Sequence, residues 1–202
     1  MTNALTVITL MVLAYVVGSI PFGVVVSRVL GTVDPRMAGS RNVGFTNVLR
    51  VGGTQAGILT LGGDLGKGWL MAWLAGRLLT DEGAILAVAL AVILGHLYSV
   101  LLGFKGGKGV ATALGAVLGL HMGIGMSLLG LWLLAVALWR YSSGGALTAF
   151  GVFPIVAAWF HQSALFIAFA GVVSALIWLR HKDNLIRLWS GTESRIGQAS
   201  KS

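Results

Sequence analysis

The chain has 202 residues, of which 56% are hydrophobic and 10% charged, and its mean hydropathy is +0.90. Soluble domains carry about 25% charged residues, so this composition excludes a soluble globular protein and favours a polytopic membrane protein. The absence of cysteine excludes disulfides, cysteine-ligated zinc and thiol nucleophiles, and membrane topology explains the net charge of +8 better than a nucleic-acid partner does.

Seven apolar stretches predict an all-α integral membrane protein with about seven transmembrane helices. The stretches are Leu5–Leu30, Ile58–Leu79, Ala84–Leu102, Val110–Leu120, Gly123–Trp139, Ala146–Phe160 and Ala164–Leu179. No Lys or Arg precedes the first stretch, which argues for a retained helix and against a cleaved signal peptide. A span needs about 20 residues, so the fourth stretch should begin inside the preceding glycine-rich segment or lie tilted in a thinned bilayer, and five or six spans remain alternatives. We expect one domain over residues 1–193 and a frayed polar tail over 194–202.

The basic residues predict the orientation of the chain. With the N-terminus outside and seven crossings, the cytoplasmic side receives Arg28, Arg36, Arg41, Arg50, Lys105, Lys108, Arg140, Arg180, Lys182, Arg187, Arg195 and Lys201. These are 12 of the 14 basic residues, as the positive-inside rule requires. The C-terminus and the polar, glycine-rich segments then face the cytoplasm as well.

The first polar segment, Ser40–Arg50, holds candidate substrate-binding residues. Its hydroxyl, amide and guanidinium groups belong to Ser40, Arg41, Asn42, Thr46, Asn47 and Arg50. Ser, Asn and Gly open helices or form nests of backbone N–H groups that attract anions, and the forked donor of Arg matches phosphate. The alternative is an ordinary capped loop whose basic residues only follow the positive-inside rule.

Two further segments carry charge among glycines. Asp64 and Lys67 are three residues apart and so share a helix face, which predicts a structural ion pair. In Gly103–Thr112, the glycines Gly106, Gly107 and Gly109 surround Lys108 and allow close approach of an anion. The segment does not match a Walker A loop, and its alternative is a glycine-rich interfacial turn. The later glycines at 115, 119 and 123, spaced four residues apart, predict close helix packing instead.

The last segment, Arg180–Leu188 followed by Glu193, places His181 and Asn184 three residues apart. Taken by itself, this segment is also explained as the basic end of the last membrane span. His96, His121 and His161 lack metal-ligand spacing, and the acidic residues are scattered. We therefore expect no metal and no cofactor.

Taken in order, these motifs resemble the PlsY family of bacterial inner-membrane acyl-phosphate:glycerol-3-phosphate acyltransferases. The similarity extends from about Val17 to Glu193 through the segments Gly18–Gly23, Gly39–Arg50, Gly63–Gly68, Gly95–Val100, Phe104–Thr112 and Arg180–Leu188. It departs from the family pattern at Arg41, where Gly is usual, at Phe45, where Ala is usual, and at Ser99, where Pro is common.

The resemblance implies an enzyme that acylates glycerol 3-phosphate from acyl phosphate at the cytoplasmic face, as the committed step of phospholipid synthesis, without an obligate protein partner. It implies a catalytic set of Ser40, Arg50, Lys108, His181 and Asn184, a glycine loop associated with glycerol 3-phosphate, and a structural Glu193. Since acyl phosphate is already activated, positioning and charge stabilisation should suffice, with a substrate phosphate taking the hydroxyl proton. A small transporter for organic phosphates and a non-enzymatic scaffold are the competing hypotheses.

Overall fold

The computed structural model describes residues 3–197, and within that range it contains ten α-helices, one 3-10 turn and no β-strand. This confirms the predicted all-α class. The chain divides into two compact units, one up to Leu120 and the other from His121 onward, and each is described by itself.

The first unit contains five α-helices. They are α1 (Ala4–Ser19), α2 (Phe22–Val29), α3 (Phe45–Leu78), α4 (Glu82–Leu97) and α5 (Val110–Leu120), with the 3-10 turn Val100–Leu102 between the last two. Pro21 interrupts the first apolar stretch, so that α1 and α2 meet at an angle of 46°. α3 is bent at Gly53, whose φ of +87° only glycine adopts readily. The Asp81 carboxylate caps α4 by accepting a hydrogen bond from the Ala84 N–H at 2.8 Å.

Close approach between α3 and α5 forms much of the packing in this unit. A Cβ on Gly68 would collide with the Thr112 carbonyl, and one on Gly115 would collide with that of Leu65. Only small residues allow two helix backbones to come so near. The prediction that the glycine series packs helices together is confirmed for Gly115 and Gly119, which both contact α3.

The second unit contains the other five helices. They are α6 (Met122–Trp139), α7 (Ser142–Gly151), α8 (Phe153–Trp159), α9 (Ala164–Arg180) and α10 (Lys182–Trp189). Four phenylalanines from α7, α8 and α9 pack edge-to-face in its core, namely Phe150, Phe153, Phe166 and Phe169. α9 and α10 meet at 62°, with His181 at the bend.

The expectation of a frayed tail is wrong for residues 194–197. Ile196 pairs with Arg140 through its N–H at 2.7 Å and its carbonyl at 3.0 Å, and the Arg195 guanidinium lies over the Tyr141 ring. Residues 198–202 of the predicted tail lie outside the described range.

Within residues 3–197, two helical stretches are long and apolar enough to cross a membrane, Glu82–Leu102 and Met122–Trp139. The number rises to five if each bent helix pair, α1 with α2, α7 with α8 and α9 with α10, forms one span. All seven predicted apolar stretches are helical, but seven spans and their orientation remain a prediction. α5 begins at Val110, directly after Gly109, so the glycines before it do not lengthen the helix, and the alternative of a tilted helix in a thinned bilayer stays a prediction. Its 11 residues reach about 16 Å, roughly half the hydrocarbon core.

Candidate active site

Asn47 organises the loop that carries the first polar segment. Its side chain is buried, and its Oδ1 accepts the Ser40 N–H at 2.9 Å. Its Nδ2 lies 2.9 Å from the Pro35 carbonyl, 3.1 Å from that of Ala38 and 2.9 Å from that of Asn42. Both ends of the amide are thus used by the backbone of residues 35–42. This contrasts with the prediction of Asn47 as a substrate ligand.

The other predicted residues of this segment surround the start of α3. Ser40 is exposed, while Thr46 and Arg50 are half-buried and, four residues apart, share a helix face. The Asn42 Oδ1 accepts the Gly44 N–H at 2.8 Å, and no side chain caps α3 at Gly44. An accessible hydroxyl, a guanidinium and an uncapped helix start therefore occur together, which is a favourable environment for an anion.

The glycine loop lies between the 3-10 turn and α5. The Gly106 N–H donates to the Leu97 carbonyl at 3.2 Å, and the Gly107 N–H donates to the His96 carbonyl at 3.1 Å. Lys108 follows at once and is half-buried. Two hydrogen bonds to the end of α4 therefore set the path of the backbone immediately before this lysine.

A buried polar cluster lies beside the glycine loop. The predicted pair forms, with Lys67 Nζ 2.8 Å from Asp64 Oδ1, and His96 Nδ1 is 3.4 Å from the same oxygen. Lys67 also donates to the Ile20 carbonyl at 2.7 Å, at the break between α1 and α2. His96 has no role of its own in the sequence-based prediction, since its spacing does not fit a metal site. The available signal was its place in the motif Gly95–Val100, which shortly precedes the glycine loop along the chain.

In the second unit, His181 and Asn184 lie at the bend between α9 and α10, and both are buried. His181 Nδ1 is 2.8 Å from the Ile177 carbonyl, which can only accept, so Nδ1 carries the proton. Asn184 Nδ2 donates to Glu193 Oε1 at 2.7 Å. Glu193 therefore holds the Asn184 side-chain amide in place through a direct hydrogen bond.

Glu193 is the centre of a hydrogen-bonded group. Besides Asn184, it accepts from the Ser143 hydroxyl at 2.6 Å and from Arg187 Nε at 2.7 Å. Burial raises the pKa of this carboxyl, but the three hydrogen bonds and the Arg187 charge outweigh burial and hold the pKa below its ordinary value. Glu193 is therefore a charged anchor at neutral pH.

The structure thus joins Ser40 and Asn42 of the loop to Asn47 in the first turn of α3, and it joins Asn184 to Glu193 in the second unit. Within residues 3–197, no three His, Asp or Glu side chains are grouped so that they could hold a metal ion.

Comparison with known proteins identifies the family. A sequence model described as Glycerol-3-phosphate acyltransferase matches residues 8–191. Proteins named glycerol-3-phosphate acyltransferase are similar to most of the chain. The one from Bordetella petrii is 48% identical over 200 residues, covering 95% of this chain and 94% of its own length. The one from Laribacter hongkongensis is 46% identical over 202 residues, covering 98% of this chain and 100% of its own length.

The chain belongs to the glycerol-3-phosphate acyltransferase family.

Solved structures agree with this assignment. The crystal structure of PlsY, an integral membrane glycerol 3-phosphate acyltransferase, in its glycerol 3-phosphate form has a TM-score of 0.91 and 38% identity, over 95% of this chain and 96% of that one. The lysophosphatidic acid form of the same protein has a TM-score of 0.89 and 37% identity, with the same coverage of both chains. This member of the acyltransferase family is therefore an all-helical, membrane-embedded enzyme, as predicted.

Two departures from the family pattern have a structural account. Arg41 adopts a left-handed backbone with φ of +56°, a conformation that glycine, the usual residue here, enters without strain. Ser99 has a φ of −63°, which proline also adopts, and its hydroxyl donates to the Ser19 carbonyl at 2.6 Å. Nothing in the structure explains Phe45.

Proposed function

We propose that this chain transfers a fatty acyl group from an acyl phosphate to glycerol 3-phosphate, giving 1-acyl-glycerol 3-phosphate, at the cytoplasmic face of the bacterial inner membrane. Membership of the family supports the acylation of glycerol 3-phosphate. The observation that supports the proposal is the hydrogen bond from the Ser40 N–H to Asn47, which holds Ser40 beside the first turn of α3, ahead of Arg50.

The reaction needs charge stabilisation more than a strong nucleophile. The glycerol hydroxyl attacks the acyl carbon, a new ester bond forms, and the bond from the acyl carbon to the phosphate oxygen breaks. Inorganic phosphate leaves with the bonding electrons, and the hydroxyl proton passes to a phosphate oxygen. Two phosphate-bearing substrates must be held close together, and cationic or N–H donors stabilise the charge that develops.

Residues of each unit have separate proposed roles. In the first unit, Arg50 and Lys108 supply charge-assisted hydrogen bonds to phosphate, with Ser40 and the backbone N–H groups of the glycine loop as neutral donors. In the second unit, His181 and Asn184 bind substrate and Glu193 orients Asn184. We assign Asn47 to shaping the loop, since its amide already has four backbone partners.

The deciding experiment incubates purified protein with acyl phosphate and radiolabelled glycerol 3-phosphate, with a metal chelator present. Labelled lysophosphatidic acid is expected, and acyl-CoA as sole donor should give little. Equal rates with acyl-CoA would overturn the choice of donor. In sealed vesicles, uptake of glycerol 3-phosphate without acylation would identify a transporter instead.

A further inference from the structure

His96 connects a buried carboxylate to the glycine loop. It lies near the end of α4, is 6% exposed, and directs Nδ1 towards Asp64 Oδ1 at 3.4 Å. Asp64 lies in α3 and is 1% exposed. A contact between a carboxylate and one ring nitrogen restricts the rotation of an imidazole, so Asp64 determines which edge of the ring faces each neighbour.

The opposite edge of the ring lies against the loop. A Cβ on Gly107 would collide with His96 Nε2, and one on Gly106 would collide with the His96 carbonyl. The same carbonyl accepts the Gly107 N–H at 3.1 Å. His96 therefore contacts Gly107 through both its ring and its backbone, at the residue immediately before Lys108.

The loop needs such support because its own sequence provides little. Residues 103, 106, 107 and 109 are glycines, which lose more conformational freedom on folding than any other residue. Gly109 has a φ of +85°. Without an external contact, this backbone would not hold a lysine ammonium at one place relative to a substrate.

The ion pair is not explained by stability alone. Asp64 and Lys67 are both buried, and removing two charges from water is expensive, so that apolar replacement of a buried pair is often neutral or stabilising. Here Lys67 binds Asp64 and the Ile20 carbonyl, while Asp64 also faces His96. The pair is thus built into a chain of contacts that ends at the glycine loop.

We propose that Asp64 and His96 are positioning residues for Lys108, acting through the backbone of Gly106 and Gly107. This inference rests on the proposed function, in which Lys108 binds a substrate phosphate. Asp64 orients the imidazole, the imidazole sets the path of the loop, and the loop presents the lysine. Misplacement of a catalytic group by 1 Å is able to cost about 100-fold in rate.

The first test uses His96→Asn and Asp64→Asn, with His161→Asn as the matched control because His161 is exposed in the second unit. We expect kcat/KM to fall by about 10- to 100-fold in the first two variants. The melting temperature in detergent should change little in His96→Asn, whereas Asp64→Asn should lower it because the Lys67 charge is left buried without its partner. The control should retain wild-type activity. Wild-type kcat/KM in both folded variants would overturn the proposal.

A double-mutant cycle separates positioning from a general loss of structure. If His96 acts through Lys108, adding His96→Asn to Lys108→Ala should lower activity by less than about threefold. Adding it to Arg50→Ala should lower activity by the same factor as His96→Asn does in the wild-type protein. Equal losses in the two backgrounds would refute the inference. Failure of the wild-type protein to make lysophosphatidic acid would refute the proposed function instead.

A charge-free replacement provides an independent check. Asp64→Leu combined with Lys67→Met removes both members of the pair together, so that neither charge stays buried without the other. We expect a folded protein with impaired turnover, and wild-type turnover would show that the cluster has no positioning role. If this variant does not fold, the cycle on His96 decides the question.

Discussion

The Asn184 side-chain amide donates a 2.7 Å hydrogen bond to Glu193 Oε1, the same oxygen that accepts from the Ser143 hydroxyl at 2.6 Å. The other carboxylate oxygen accepts from Arg187 Nε. Because Nδ2 of Asn184 is committed to Glu193, the carboxylate determines the orientation of the amide. Glu193 thereby links α7, α10 and the segment that follows α10.

We predict that Glu193→Gln destabilises the protein and lowers activity. A hydrogen bond to a charged group contributes about 1.5–3 kcal/mol, and the substitution weakens the bonds from Ser143, Asn184 and Arg187 together. The melting temperature in detergent measures the loss. Asp183→Asn is the matched control, because Asp183 is an exposed acid on α10. An unchanged melting temperature in Glu193→Gln would contradict the role of the anchor.

The stability of the wild-type protein should fall in acid because of Glu193. Its pKa is lower in the folded state than in the unfolded state. A carboxyl with a lowered pKa contributes stability that is fully present above its unfolded pKa, about 4.3. That stability is lost as the pH falls through the folded pKa. Thermal unfolding from about pH 7 to about pH 3 should therefore show a steeper decline in wild type than in Glu193→Gln, and parallel curves would refute the prediction.

Arg50→Ala and Lys108→Ala should each reduce turnover severely without unfolding the protein. A charge-assisted hydrogen bond of about 1.5–3 kcal/mol corresponds to about tenfold to more than a hundredfold in rate. Arg50→Lys should rescue poorly, since a point charge does not reproduce the guanidinium fork. Arg36→Ala is the control, because Arg36 is exposed and pairs with Asp34. Equal losses at all three positions would mean that only net positive charge matters.

Arg41→Gly should stabilise the protein by relieving the left-handed backbone. A non-glycine residue in this conformation costs about 1–2 kcal/mol, and the greater freedom of glycine in the unfolded chain offsets about 0.4–1 kcal/mol of the gain. Arg41→Ala removes the same charge but keeps the strain, so it should not raise the melting temperature. A similar rise in both variants would show that charge, and not backbone conformation, is responsible.

No protein side chain is expected to act as the essential general base. The proposed reaction passes the proton to a phosphate oxygen instead. General-base assistance is typically worth about 10²–10⁴-fold, and the neutral-pH candidate is His181, in which the contact of Nδ1 with the Ile177 carbonyl leaves Nε2 as the only nitrogen able to take a proton. His181→Asn and His181→Gln keep a hydrogen-bond donor but cannot take the proton, and we expect appreciable turnover in at least one of them.

The pH profile of these variants gives the decisive comparison. Complete loss of turnover in both folded variants, together with a limb in the wild-type pH profile near the ordinary imidazole pKa of about 6.5, would assign the base to His181. Retained turnover with a limb set by substrate phosphate would support proton transfer to the substrate.

The sequence alone determined the helical class and the apolar stretches, while the residues it predicts for the candidate site stay predictions. These features depend on local properties. Long apolar runs in a membrane form helices because each backbone N–H and C=O group must find a partner within its own segment, and caps such as the Asp81 carboxylate act within one turn. The pairing of Asp64 with Lys67 was also predictable, because three residues of α-helix place two side chains on one face.

Only the tertiary structure decided what several of these side chains do. Asn47 has a side-chain amide suited to binding a substrate, yet that amide is hydrogen-bonded to the backbone of residues 35–42. His96 was unassigned until the packing of α3 beside α4 placed it between Asp64 and Gly107. Such contacts join residues that are distant along the chain, and they arise from how helices approach one another, which short-range periodicity does not encode.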